Sequence, residues 1–204
     1  MDALVLAALK GLALGFSIAA PVGPIGLLCI RRTLSGGWRL GLAAGMGAAT
    51  ADMVYGLVAA AGLTAVTEVL VSARQPLQFA GGAALILLGL TVLRAEAPGE
   101  RVGTDSAGLA TTYATTFLLT LANPATILSF AAVMAGLGAM SATGETVVLV
   151  AGVFVGSALW WFALSTAVSL TRHRLPATAL VWINRASGVA IIVFGILALT
   201  AAML

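Results

Sequence analysis

The sequence predicts an all-α polytopic membrane protein of six transmembrane helices. They form two inverted three-helix repeats, with helices one and four broken. Three observations predict this. The first is composition: 61% of the 204 residues are hydrophobic, 8% are charged and the mean hydropathy is +1.11. Soluble domains sit at about 45–50% apolar and about 25% charged. The second is the presence of separate apolar segments, each near the length of about 20 residues that crosses a bilayer. The third is a likeness between the two halves of the chain.

The first segment runs from Ala3 to Ile30. Its start, MDALVLAALKGLALG, carries Asp2 and no basic n-region, and the apolar run continues past Pro24. It is therefore expected to be a retained span rather than a signal peptide. Inside it, AAPVGPIGLL at residues 19–28 places two prolines and two glycines where a helix needs neither. The second segment is Leu40–Val66 and the third, shorter one is Leu77–Leu93. A polar stretch, RAEAPGERVGTDSAG at residues 94–108, has the proline, glycine and mixed charge of a loop and divides the chain near its midpoint. The fourth segment, Thr111–Leu137, contains the second break, TLANPATIL. Thr146–Leu170 and Ala179–Met203 complete the set.

The halves correspond. GAALILLG at Gly82–Gly89 matches GVAIIVFG at Gly188–Gly195, and GMGAATADMVY at Gly45–Tyr55 matches GVFVGSALWWF at Gly152–Phe162. The break at Gly23–Gly26 matches the one at Asn123–Thr126. The matches keep their order at a nearly constant offset of about 100 residues, as an internal repeat would. The expected units are residues 1–93, a connecting loop 94–110, and residues 111–204. A repeat with an odd number of spans must enter the membrane upside down. In such folds the binding site lies at mid-membrane, on helices broken at corresponding positions. Freed backbone groups are tolerated there only when they are buried in protein or line a cavity.

Placing both termini outside puts eight of the ten basic residues on the cytoplasmic side, leaving only Lys10 and Arg74 outside. Arg31 and Arg32 read as topology anchors, and Glu145 suits an outer loop. The net charge of +3 thus reflects orientation; no basic patch interleaved with aromatic residues points to nucleic acid. Cys29 is the single cysteine, which excludes a disulfide framework. No Ser/His/Asp set, HExxH or phosphate-binding glycine loop followed by lysine suggests an enzyme or a cofactor. One membrane aspartate, one cysteine and no membrane histidine are too few for a dedicated metal site. Transport of a metal ion or another small solute, a channel, and a non-transporting scaffold remain as alternatives.

Asp52 is the sharpest single signal. It stands near the centre of the second segment, where a charge costs at least about 2.5–3.5 kcal/mol, and intramembrane acids commonly face a pathway. A carboxylate removed from water is poised to take up a proton. Asp52 reads as a proton-coupling site or a contact for a substrate's ammonium group; its alternative is to cap the freed N–H groups of a broken helix. Asn123 and Thr126 offer neutral hydrogen bonds to a substrate, or else satisfy backbone groups beside Pro124. Thr50 and Ser157 read as helix-packing residues, as do Gly41 and Gly45. Trp160 and Trp161 fall mid-span, where packing is the plainer reading and a cavity wall the other. Trp38 and Trp182 read as interfacial anchors, and His173 as a loop residue.

The run GFSIAAPVGPIGLLCIRRTLSGGWRLGLAAGMGAATADMVYG, residues 15–56, resembles the N-terminal signature of the LysE/RhtB amino-acid exporter family. LANPATILSF, residues 121–130, is similar to that family's Asn-Pro motif. The resemblance covers essentially the whole chain. It implies a small bacterial inner-membrane exporter of amino acids or related compounds, working by proton exchange and pairing as a homodimer. By position, the family's Pro-x-Gly-Pro motif falls on Pro21, Gly23 and Pro24, its membrane acid on Asp52, and its Asn-Pro motif on Asn123 and Pro124. Many members follow Asn-Pro with a lysine, where this chain has Ala125 and Thr126. With Asp52 the only acid clearly within a span, the expected substrates are small neutral amino acids rather than cationic ones.

Overall fold

A computed structural model describes residues 2–21, 23–60, 74–94, 106–123, 126, 129–130, 143–172 and 176–203. Every secondary-structure element among them is helical: α1 (Ala3–Ala19), α2 (Pro24–Gly36), α3 (Trp38–Ala60), α4 (Arg74–Arg94), α5 (Ser106–Leu121), α6 (Thr143–Arg172) and α7 (Ala177–Met203). Trp38–Val58, Gly144–Arg172 and Val181–Met203 are each long and apolar enough to cross a bilayer. The pair α1 and α2 passes the same test as one broken span, bent by 79°. Leu87, Leu118, Leu170 and Met203 are all more than half exposed, so apolar side chains clothe the outside as well as the core. A soluble protein rarely shows so much apolar surface. The chain is a multi-pass membrane protein.

The bend has a local cause. Ala20 still donates to the carbonyl of Phe16, at 2.9 Å, and closes α1. Gly23 then takes an extended conformation and Pro24 occupies the first position of α2. Proline fits there because its missing N–H would have had no helical partner. Helix α2 runs on to Gly36, beyond the expected end of the first span at Ile30. Arg31 and Arg32 are straight-chain residues that extend a helix readily. Gly37 alone joins α2 to α3, at φ 84°. That left-handed geometry suits glycine and turns the chain back on itself within one residue. Helix α5 likewise begins at Ser106, inside the stretch expected as a loop. Residues 61–73, 95–105 and 131–142 lie outside the described residues, and with them the expected ends of spans two and four and most of the connecting loop.

Glycine sets how the helices pack. Along α1, Gly11 and Gly15 rest against the backbones of Leu149 and Val153 on α6. In return, Gly152 and Gly156 rest against Ala8 and Leu12. Residue numbers rise together, so α1 and α6 run in the same direction, backbone against backbone. Lipid offers no hydrophobic drive for helix association, and small residues allow the close approach that replaces it. Helix α3 packs on α5 in the same sense, with Gly47 against Tyr113 and Phe117. Helices α4 and α7 pack antiparallel: a Cβ on Gly82 would lie 2.8 Å from the carbonyl oxygen of Gly195, and one on Gly89 2.8 Å from that of Gly188. These are the four glycines that match between the halves. Helix α3 also crosses α6 antiparallel, with Gly45 against Trp161 and Gly56 facing Val153. The central core draws Leu28 and Cys29 from α2, Ala48 and Ala49 from α3, Leu85 from α4, Leu119 from α5, Trp161 from α6 and Ile191 from α7.

The packing distinguishes two glycines sharply. A methyl group on Gly15 would drive into the carbonyl of Val153, whereas one on Gly23 would meet nothing within 4 Å. Gly15→Ala is expected to cost about 1–3 kcal/mol, as overpacking does. Gly23→Ala should stay within about 0.5 kcal/mol of wild type. Thermal unfolding of the purified proteins in detergent measures both; equal effects would remove the close contact as the basis of the α1–α6 pair.

Candidate functional site

The two breaks and the membrane acid meet at one cavity of about 290 Å³. Pro21, Gly23 and Pro24 line it from the α1–α2 break, together with Ile25 and Gly26 of the first turn of α2. Asp52 and Ala48 line it from α3, Thr120, Asn123, Thr126 and Ser129 from α5 and the segment beyond it, Trp161 from α6 and Phe194 from α7. Of the residues singled out in the sequence as binding or coupling candidates, six of the seven border this one space. The other, Pro124, lies outside the described residues. Among the described lining residues Asp52 is the one ionisable group. Elsewhere, no group of three or more His, Cys, Asp or Glu that could hold a metal ion occurs among the described residues.

Local chemistry explains what each break presents. The first N–H groups of a helix have no partner within it. In α2 the first ladder bond runs from the Leu27 amide to the Gly23 carbonyl, at 3.0 Å. The amides of Ile25 and Gly26 precede it, at a helix end that carries partial positive charge. At the other break, the Ala122 amide donates to Leu118 at 3.0 Å and the Asn123 amide to Thr120 at 3.1 Å, which tightens the last turn of α5. The carbonyl of Leu121 accepts a hydrogen bond from the hydroxyl of Tyr55. The ring of Tyr55 stacks on Phe130 with centroids 5.4 Å apart. Tyr55 stands one helical turn beyond Asp52, so α3 reaches the second break with the same face that carries the acid.

Asp52 is almost wholly buried, at 3% exposure. Its Oδ2 accepts a hydrogen bond from Ser157 Oγ at 2.6 Å. Ser157 in turn accepts one from Trp161 Nε1 at 3.1 Å. These two residues, four apart, share one face of α6 and meet α3 where it crosses. Thr50, two residues before Asp52, accepts from Tyr113 Oη at 2.8 Å and donates to the Met46 carbonyl at 2.8 Å. Asp52 therefore caps no backbone group among the described residues; its partner is a side chain.

Sequence reasoning left Ser157 with the packing residues and gave Trp161 packing first. The structure places Ser157 on the acid and Trp161 at the cavity wall. A usable signal existed: a serine and a tryptophan four apart, in the segment that matches the one carrying Asp52. Trp160, by contrast, turns away and meets Phe16 edge-on at 5.3 Å. Trp38 donates to Thr166 at 3.0 Å rather than standing alone as an anchor. Cys29 is fully buried at the α2–α3–α6 junction, with its Sγ 3.3 Å from the Gly41 carbonyl and 3.5 Å from Ser165 Oγ.

A family model described as LysE type translocator matches residues 16–202. A protein of Bacillus subtilis (strain 168), named "Putative amino acid efflux protein YcgF", is 28% identical over 194 residues, covering 92% of each chain. No solved structure matches the chain.

Two measurements check the site as built. Tyr55→Phe removes the hydroxyl that donates to the half-buried Leu121 carbonyl and is expected to lower stability by about 0.5–1.5 kcal/mol. An unchanged melting temperature would mean that the carbonyl finds another partner. Cys29, as the single thiol, is expected to resist a membrane-permeant maleimide in the folded protein and to react fully once unfolded. Rapid labelling of folded protein would contradict its burial.

Proposed function

Because the chain belongs to the LysE-type translocator family, we propose that it is a secondary transporter that exports amino acids, small neutral ones, from the bacterial cytoplasm by exchange for protons. The observation that carries this is a cavity in which residues of both helix breaks and a buried carboxylate converge. The name borne by the Bacillus subtilis relative supports the substrate class.

A zwitterion suits the groups at this cavity. The Ile25 and Gly26 amides, at the positive end of α2, favour a carboxylate. Asp52, when ionised, favours the ammonium group. Asn123 and Thr126 add neutral hydrogen bonds from the opposite break. Ile18, Ile25, Trp161 and Phe194 leave apolar space for a side chain, and the described lining offers no second acid to a cationic one. On the cytoplasmic side an ionised Asp52 takes the substrate. On the outer side a proton takes the substrate's place on Asp52, and the empty carrier resets. The two occupants exclude each other, which makes the exchange obligatory.

The same reading treats residues 1–93 and 111–204 as inverted repeats about the loop 94–110, with both termini outside the cytoplasm and a homodimer as the assembled form. The packing supports the repeat. The parallel pair α1 with α6 has its counterpart in α5 with α3, and the matched glycines of α4 and α7 face one another. An axis in the membrane plane relating the halves would generate these pairs.

The experiment is flow across vesicles. Protein is reconstituted, the lumen is loaded with a panel of labelled amino acids, and an inward proton gradient is imposed. Efflux of one or more small neutral amino acids should need the gradient and fall at least about tenfold in Asp52→Asn, as expected when a group essential to the step is removed. Gradient-driven efflux that survives in both Asp52→Asn and Asp52→Ala would end the coupling role. Folded protein that moves none of the panel would end the amino-acid reading.

A further inference from the structure

Ser157 has no part in the exchange as just described and Trp161 only walls the cavity, yet their hydrogen bonds carry a direction. An indole N–H can only donate, whereas a hydroxyl has one proton to give. Trp161 Nε1 donates to Ser157 Oγ, 3.1 Å away. The serine's own proton is then free to point to Asp52 Oδ2, 2.6 Å away. The sequence indole, hydroxyl, carboxylate is thus polarised one way, and each bond strengthens the next. Asp52, Ser157 and Trp161 are 3%, 0% and 4% exposed, so bulk water does not compete for these bonds. Among the described residues, Ser157 is the one donor to Asp52.

Resting on the reading of Asp52 as the exchange site, we infer that Ser157 and Trp161 are positioning residues that reserve Oδ2 as an acceptor and confine both proton and substrate ammonium to Oδ1, the oxygen left for the cavity. The step balances simply. A proton from external water forms an O–H bond at Oδ1 as the ammonium group departs, and that proton returns to water on the cytoplasmic side. Reserving one oxygen prevents the carboxyl group from flipping to hide its proton against α6.

Trp161 has a second contact that makes the arrangement responsive. Its side chain borders the cavity as well as donating to Ser157. A substrate side chain packed on the indole therefore touches the group that orients the serine. The indole can lie this close to α3 only because position 45 is glycine; a Cβ there would collide with that of Trp161. Substrate fit and the readiness of Asp52 to ionise are linked through one side chain.

The test is the pH profile of efflux from vesicles for wild type, Asp52→Asn, Ser157→Ala, Ser157→Thr and Trp161→Phe. Ser157→Ala removes the donor to the charged carboxylate, so the pH of half-maximal efflux should move up by about 0.5–1 unit. Trp161→Phe keeps an aromatic ring and loses the N–H, and should move it the same way by less. Ser157→Thr keeps the hydroxyl and should return the profile towards wild type. A pair that only packs would lower the rate at every pH and leave the midpoint in place. If Asp52→Asn abolishes gradient-driven efflux while Ser157→Ala and Trp161→Phe keep the wild-type midpoint, the positioning role is overturned and the exchange reading stands. If Asp52→Asn keeps gradient-driven efflux, the exchange reading itself falls. Should Ser157→Ala fail to fold, Trp161→Phe and Ser157→Thr decide the matter between them.

Discussion

A peptide group inside a bilayer has no water to turn to, so each N–H and C=O that a helix releases must find a partner in the protein or border a cavity. The break between α1 and α2 releases several such groups, and much of the surrounding structure answers to them. Helix α3 returns after a single glycine and lies beside the break. One face carries Asp52 and Tyr55, and Thr50 points separately to Tyr113 of α5. The second break is met by Tyr55 on the carbonyl of Leu121. Residues of both breaks line the cavity beside them.

Close helix packing is the other half of that arrangement. Helices α1 and α6 touch backbone to backbone through glycines, as do α4 and α7. Apolar side chains would gain little by meeting one another rather than lipid, so tight van der Waals contact must supply the specificity. It also fixes register. Ser157 meets Asp52 because α3 and α6 cross at Gly45 and Gly56, and a slip of one residue would turn the serine away. A buried acid at the centre of a span is thus held by the same contacts that hold the helices.

The sequence carried the local features well. Proline and glycine in AAPVGPIGLL announce a break through backbone chemistry alone, and an aspartate amid an apolar segment is conspicuous because lipid makes it costly. That these features share one space was an inference from the repeat, and the cavity now brings Pro21, Gly23, Pro24, Asp52, Asn123 and Thr126 together. Only the repeat match hints at Ser157 in the sequence, and its role stays open there for a physical reason. A hydroxyl in a membrane helix serves packing or hydrogen bonding according to what faces it, and that depends on the register of a helix about 100 residues away. Trp161 was ambiguous in the same way. The extension of α2 through Arg31 and Arg32 to Gly36 was hidden because basic residues mark a membrane boundary without ending a helix.

The central claim is that a proton and a substrate compete for Asp52. Proton release on substrate binding tests it most directly. The purified protein, in weakly buffered detergent solution with a pH indicator, is titrated with an amino acid that it moves in vesicles. The account predicts release approaching one proton per substrate bound when Asp52 starts protonated, and none from Asp52→Asn. Substrate binding to wild type with no proton released at any pH would contradict it.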